Sequence, residues 1–214
     1  MIADNILRLP QPDWLHHRLD AEGPSADLQS FRRAAAGAGV VPWCIDHDRL
    51  EEDWYHLLLA APPARRGISA TGARILARQL RDAAWIRHAE ALDQIGLSTA
   101  CPLDLHALLP VPPDILCLGP DDPRSLAWMW ENWGTTWAPR RVAEVPPART
   151  LLDAEAGFSC RFWSADWTPW RAIQRLRAGW PTLRFRLVLE YAEWSDPNGH
   201  FSQFGSDRKI RRAQ

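Results

Sequence analysis

Nothing in this 214-residue chain is long and apolar enough to suggest a membrane span. Runs such as Leu57 to Ala61 and Leu187 to Leu189 fall far short of the roughly 20 residues a crossing helix needs. The stretch Met1 to Pro10 carries Asp4 and has no apolar central region, so no secretory signal is expected. Charge of one sign is also missing. The net charge is −1, with no long run of either sign, so there is no strong electrostatic footprint for nucleic acid or anionic membrane. Lysine is almost absent: Lys209 stands alone among 25 lysines and arginines. The four cysteines, Cys44, Cys101, Cys117 and Cys160, are widely spaced and form no C-x-x-C pair. They read as reduced, mostly buried thiols of a cytoplasmic protein, which argues against a disulfide framework. No G-x-S-x-G elbow, P-loop, G-x-G-x-x-G or H-E-x-x-H occurs, so the common nucleophilic, nucleotide-binding and zinc-protease chemistries have no anchor. No catalytic residue, cofactor or metal is expected.

What is abundant is tryptophan, with 13 copies against 2 tyrosines. Nine of them, from Trp128 to Trp194, fall in the second half of the chain. The remainder of the composition, 46% apolar and 24% charged, is that of an ordinary globular protein with material for a core.

The periodicity divides the chain in two. Up to about residue 98 it predicts helices. Ser25 to Ala36 carries Leu28, Phe31 and Ala35 and ends at Gly37 and Gly39; Asp48 to Ala60 is stopped by Pro62-Pro63. Ser69 to Gly96 bears an apolar stripe of Ile75, Leu76, Leu80, Ala83, Ile86 and Leu92, with Arg74, Arg78, Arg81 and Arg87 largely off it. From residue 99 the period changes. Leu103 to Leu109 alternates as a strand, Pro123 to Trp133 follows as a helix with Asp122 as its cap, and Thr136 to Val145 is a strand whose start Pro139 pushes to an edge. Phe158 to Trp163 is a strand, Pro169 to Ala178 a helix, and Leu183 to Tyr191 a strand. The order β-α-β-β-α-β is the split-βαβ signature. The expected fold class is therefore α+β: a helical N-terminal segment, residues 1–98, packed on a C-terminal ferredoxin-like βαββαβ domain, residues 99–214.

Three stretches carry a family resemblance. They are Leu103-Asp104-Leu105-His106-Ala107-Leu108-Leu109-Pro110-Val111-Pro112, the block Trp130-Glu131-Asn132-Trp133-Gly134-Thr135-Thr136-Trp137, and Ser164-Ala165-Asp166-Trp167-Thr168-Pro169 followed by Trp180-Pro181. Together they resemble the YubB-type ferredoxin-like family of plasmid and phage proteins, over roughly the C-terminal half. The family pattern has lysine at Thr136 and proline at Trp170, where this chain departs from it. The resemblance implies the fold, makes Trp133, Trp137 and Trp167 mostly structural, and implies a mobile-element or prophage setting. It implies no activity.

The candidate binding face follows from alternation. With Phe158, Phe162, Phe185 and Leu187 toward the helices, the other sheet face presents Arg161, Trp163, Arg184, Arg186 and Val188, with Trp194 as a further surface aromatic. Arginines beside an aromatic on an open sheet are what RNA-recognition modules use. The plainer expectation is that the N-terminal helices cover this face and that Glu190 or Glu193 pairs the arginines. The basic tail Arg208, Lys209, Arg211 and Arg212 reads as solvated. Cys44, Asp46, His47, Asp48, Glu51, Glu52 and His56 cluster, with Glu52 and His56 one helical turn apart, but an acidic first turn is what helix-dipole physics favours anyway. Glu131, Asp166, Glu190, Glu193 and His200 form no spaced catalytic set, Asp166 reading as a cap or turn residue and Asn132 as a backbone partner. The function expected is non-catalytic binding of a protein partner. Nucleic acid is the alternative, and a small hydrolase with an unrecognised site is a further one.

Overall fold

The computed structural model describes residues 12–146 and 157–190. The protein is α+β, with a four-stranded antiparallel sheet in the order β2-β3-β1-β4. The strands are β1 (Trp14–Glu22), β2 (Arg140–Glu144), β3 (Gly157–Ala165) and β4 (Arg184–Leu189). The helices are α1 (Ser25–Ala35), α2 (His47–Leu59), α3 (Ala70–Asp93), α4 (Leu105–Leu108), α5 (Pro113–Leu116), α6 (Pro123–Asn132) and α7 (Trp170–Gly179), with a 3-10 turn at Pro63–Arg65. No helix among the described residues is long and apolar enough to cross a membrane.

The principal correction concerns the first strand. Leu103 to Leu109, expected as a strand, instead holds α4, because the Asp104 carboxylate accepts from the N–H groups of His106 (2.9 Å) and Ala107 (3.2 Å) and so nucleates a helical turn. The strand that completes the sheet is β1, near the start of the chain, in the segment expected to be helical. It sits between β3 and β4, with Leu19 opposite both Cys160 and Leu187. The sheet thus draws its strands from both sides of residue 98. β1 forms because His17, Leu19 and Ala21 alternate with Arg18, Asp20 and Glu22, one set buried in the core and the other on the opposite face.

The main core lies between the sheet and helices α1 and α7. Leu19, Ala21, Phe158, Cys160, Phe162 and Phe185 from the sheet meet Leu28, Phe31 and Ala35 of α1 and Ile173 and Leu176 of α7. Phe31 is the hub, edge-on to Phe158 (5.7 Å between centroids), Trp180 (5.2 Å) and Phe185 (5.1 Å). A second core gathers Val41, Leu105, Val111, Leu126, Met129, Trp133 and Ala172. Its largest member, Trp133, is wholly buried and donates its indole N–H to the Leu109 carbonyl at 3.1 Å. Helices α6 and α7 approach closely at Gly134, whose φ is +80° and where a Cβ would lie 3.1 Å from the Arg171 nitrogen. That position admits little but glycine.

Helix starts follow the expected chemistry: Asp46, Ser69 and Asp122 accept from Arg49, Gly72 and Arg124 N–H groups at 2.9, 3.0 and 2.8 Å. Two further expectations change. Among the cysteines only Cys160 is buried; Cys44 and Cys117 are exposed and Cys101 is intermediate. Helix α3 does not lie on the sheet but packs along α2.

Candidate functional site

Two surfaces emerge, one on the sheet and one on the α2–α3 hairpin. The strand registers fix the rows of the sheet face that points away from α1 and α7. His16 is opposite Trp163; Arg18 is opposite Arg161 and Val188; Asp20 is opposite Ser159 and Arg186; Glu22 is opposite Arg184. The alternation therefore brings Arg161, Trp163, Arg184 and Arg186 onto one face, as the sequence indicates. Trp194 lies outside the described residues, as do Glu193, His200 and the basic tail. β1 adds His16, Arg18 and Trp14 to this face, and Arg140 joins them from β2 opposite Trp163.

The electrostatics of the face are largely settled internally. Glu190 takes Arg161 through both carboxylate oxygens, at 2.8 and 3.2 Å, and lies 3.4 Å from the His16 ring. Asp20, nearly buried, accepts from Arg18 Nε at 2.8 Å and from Ser159 Oγ at 2.5 Å. The pairing expected of Glu190 is therefore present. Among the described residues the expected cover by α3 is absent, since α3 packs along α2; the Arg161 and Arg184 side chains are 45% and 88% exposed, while Asp20 and Ser159 on the same face are buried. Arg184 has, among the described residues, a long contact, 3.9 Å, to Glu22. Aromatic contacts run along one end of the face. The Arg140 guanidinium lies 4.5 and 4.7 Å from the ring centres of Trp14 and Trp137, and Trp163 lies 4.7 Å from His16. Cation–π contacts of this kind contribute about 0.5–1 kcal/mol each at exposed sites, enough to hold the rings in place. A pocket of about 320 Å³ opens beside this cluster, with Trp43, Met129, Trp137 and Arg140 in its walls.

Behind the face sits His17, fully buried and stacked on Phe162 at 5.4 Å. Its Nδ1 lies 3.0 Å from the Leu15 carbonyl, which can only accept, so Nδ1 carries the proton. Nε2 then accepts from the Thr168 hydroxyl at 3.0 Å. Ser164 fits the same assignment: it donates to the Trp167 carbonyl at 2.6 Å, leaving its oxygen 3.3 Å from Nδ1. Burial pushes the His17 pKa below the ordinary histidine value, partly opposed by the Leu15 carbonyl and helped by neighbouring His16. This ring is a structural pin with both nitrogens occupied, not a solvent-facing base.

The second surface was not visible from periodicity alone. α2 buries no residue completely, and α3 buries only Ala73 and Ala77. The two helices meet through small side chains and ion pairs: Arg74 with Glu52 at 2.7 Å, and Arg81 with Glu51 and Asp48 at 3.6 Å each. The Arg74 guanidinium also lies 3.7 Å from the Tyr55 ring centre. Arg74 and Arg81 thus turn toward α2, and Ile75, Leu80 and Ile86 of the apolar stripe turn outward. Ile75 and Ile86 are 56% and 50% exposed, and Trp85 is 58% exposed. Ile75 and Ile86, eleven residues apart, return to the same face after about three turns of 3.6 residues.

Several of the remaining candidates make structural contacts. Glu52 holds Arg74 as well as His56, which is 3.1 Å away. Asn132 donates to the Trp128 carbonyl at 2.7 Å. Asp166 has φ +61° and accepts from the Asp13 N–H at 2.8 Å, tying β1 to the end of β3 rather than capping α7.

No family model matches the chain, and no curated protein is similar to it. Among solved structures it is similar to protein api92 from Yersinia pseudotuberculosis, of family DUF1281, at 14% identity and a TM-score of 0.44, over 84% of this chain and 90% of that one.

Proposed function

We propose that this is a non-catalytic binding protein that engages another protein through the outward face of α3. The observation that carries the reading is the exposure of Ile75, Trp85 and Ile86 at half or more of their surface. Monomeric proteins rarely leave such large apolar side chains grouped in the open, and grouped exposure marks docking surfaces. Tryptophan in particular is enriched where binding energy is concentrated. The helix is held to α2 by its arginines and alanines, so its apolar side is free for the partner. The carrier is a ferredoxin-like sheet, a reading supported by the succession β1-α1, β2-β3-α7-β4 and by β1 lying between β3 and β4. On the resemblance of the Trp130 to Trp137 block, we assign the protein to the cytoplasmic accessory factors of a mobile genetic element or prophage.

The test is a crosslinked capture from host cells using the full chain as bait, beside the double variant Trp85→Glu, Ile86→Glu. Both sites are exposed, so the variant keeps its thermal midpoint and loses the captured protein. If the variant captures the same set as the parent, the surface is not the docking site.

A second reading, nucleic-acid binding by the sheet face, is favoured by the row of Arg140, Trp14, Trp137 and Trp163 at one end of the face and exposed Arg184 and Arg186 toward the other, on β4. Replacing Arg184 and Arg186 by alanine then weakens binding and lowers the slope of log affinity against log salt by about 2, close to one for each phosphate that is no longer neutralised. An unchanged affinity and slope would remove it.

A further inference from the structure

Cys44 and Cys117 are 73 positions apart in the sequence and meet in the fold. The Cys44 N–H donates to the carbonyl of Leu116, the residue before Cys117, at 3.0 Å. A bond of that kind leaves the two Cα atoms roughly 5–7 Å apart, overlapping the roughly 4.4–6.8 Å that disulfides span. The chain then doubles back around Cys44: Gly119, with φ +83°, comes so close that a Cβ there would lie 3.1 Å from the Cys44 carbonyl oxygen. The Cys44 side chain lies near enough to Cys117 for that thiol to push its pKa up, and both residues are exposed. Neither of the other cysteines shares this arrangement. Cys160 is sealed in the main core, and Cys101 is half-buried beside Gly39.

We propose that Cys44 and Cys117 form a dithiol site that low-molecular-weight disulfides of the glutathione class oxidise reversibly to an internal disulfide. One thiolate attacks the small disulfide R–S–S–R, forming a mixed disulfide and releasing RS⁻. The neighbouring thiolate attacks the protein sulfur of that mixed disulfide and expels the second RS⁻. The two protons lost by the protein thiols end on two RSH molecules, and two electrons pass from the protein to the small disulfide. The backbone bond that sets the two residues side by side makes the second step intramolecular, so closure outruns accumulation of the mixed disulfide. Cys117 also holds the Cys44 thiol above its ordinary pKa, so the Cys44 thiolate forms, and attacks, at a higher pH than an ordinary thiol would. The product links the segment that leads into α2 to the end of α5, and so encloses the whole α2–α3 hairpin in a covalent loop.

The full chain is reduced, then equilibrated with glutathione and glutathione disulfide at graded ratios, and quenched by alkylation. The expected result is loss of two of the four thiols, an intact mass two hydrogens lower, and a non-reduced peptide pair containing Cys44 and Cys117. Cys44→Ser is expected to stop at one added glutathione on Cys117, a trapped first step. The proposal is overturned if the parent carries glutathione on Cys44 and Cys117 independently, if the bond forms between chains, or if neither thiol is lost at ratios that oxidise a simple dithiol. Because Cys44→Ser alters an exposed side chain, its folding is checked by circular dichroism, and the parent's peptide map stands whatever that variant does.

Discussion

Lowering the pH from 7.5 to 5.5 puts the buried His17 under test. The native state holds this ring neutral, with Nδ1–H on the Leu15 carbonyl and Nε2 on Thr168, in a site with no exposure. The unfolded chain protonates near the ordinary value of about 6.5, and the native pKa lies below it. The unfolded state therefore binds more protons across this window, and stability must rise with pH. This contribution is fully present above pH 6.5. It declines as the pH drops below 6.5 and levels off only once the depressed native pKa is passed. If the native ring stays neutral to pH 5.5, the loss from this one group is about 1.4 kcal/mol between pH 7.5 and 5.5. For a chain of this size that is a fall of roughly 3–5 °C in thermal midpoint. Urea denaturation at half-unit pH steps measures it, with His17→Gln as the control that keeps a polar side chain but cannot titrate. His106, also lowered by burial, contributes with the same sign, so the difference in slope between parent and variant isolates His17. Nitrogen chemical shifts of the imidazole provide the direct readout, with the Nδ1–H form persisting below pH 6.5. Equal pH slopes in the two proteins, or a native midpoint at 6.5 or above, would refute the argument.

Three further outcomes follow from the packing. Phe31→Ala removes the ring against which Phe158, Trp180 and Phe185 stand and is expected to cost about 3–5 kcal/mol in denaturant unfolding. Asp104→Ala strips the buried carboxylate from the Gly39, His106 and Ala107 N–H groups; a loss of about 2–3 kcal/mol is expected, and less than 0.5 would show the cap to be dispensable. In reduced native protein, iodoacetamide is expected to label Cys44 and Cys117 first, Cys101 slowly, and Cys160 only on unfolding, since burial pushes the Cys160 thiol far up. Early labelling of Cys160 would mean that the core opens without global unfolding.

Much of the fold could be read directly. The helix starts at Asp122 and Ser69, the proline stop after α2 and the alternation of Phe158, Cys160 and Phe162 all rest on local chemistry that tertiary structure leaves intact. β1 was hidden because its core-facing positions hold a histidine and an alanine where apolar bulk is expected, so His17, Leu19 and Ala21 do not register as a hydrophobic period. Leu103 to Leu109 misled in the opposite sense. Leucines at 103, 105, 108 and 109 fit both periods over so short a span, and the deciding interaction is the Asp104 cap. On the sheet face, Arg161, Trp163, Arg184 and Arg186 were legible from strand parity. His16, Arg18 and Arg140 were not, because a cross-strand neighbour is fixed by pairing rather than by sequence distance. The outward turn of Ile75 and Ile86 had no signal in period either. A helix with an apolar stripe and an arginine stripe offers two faces, and only the acids of α2 decide which one is used.

The chain that leaves α1 and the chain that returns to α4 run side by side at Gly37 and Cys101, which exchange backbone hydrogen bonds of 3.0 and 2.9 Å. Everything between them, including α2 and α3, begins and ends at one point on the body of the protein. Joining neighbouring ends with a shorter segment costs little loop entropy, so the α2–α3 hairpin can be shortened without parting the ends it joins. Val41 and Trp43, which pack into the second core, cannot be lost at so small a cost. The outward Ile75, Trp85 and Ile86 of that hairpin belong to neither core, and the wholly buried Trp133, on the other side of the junction, belongs to the second.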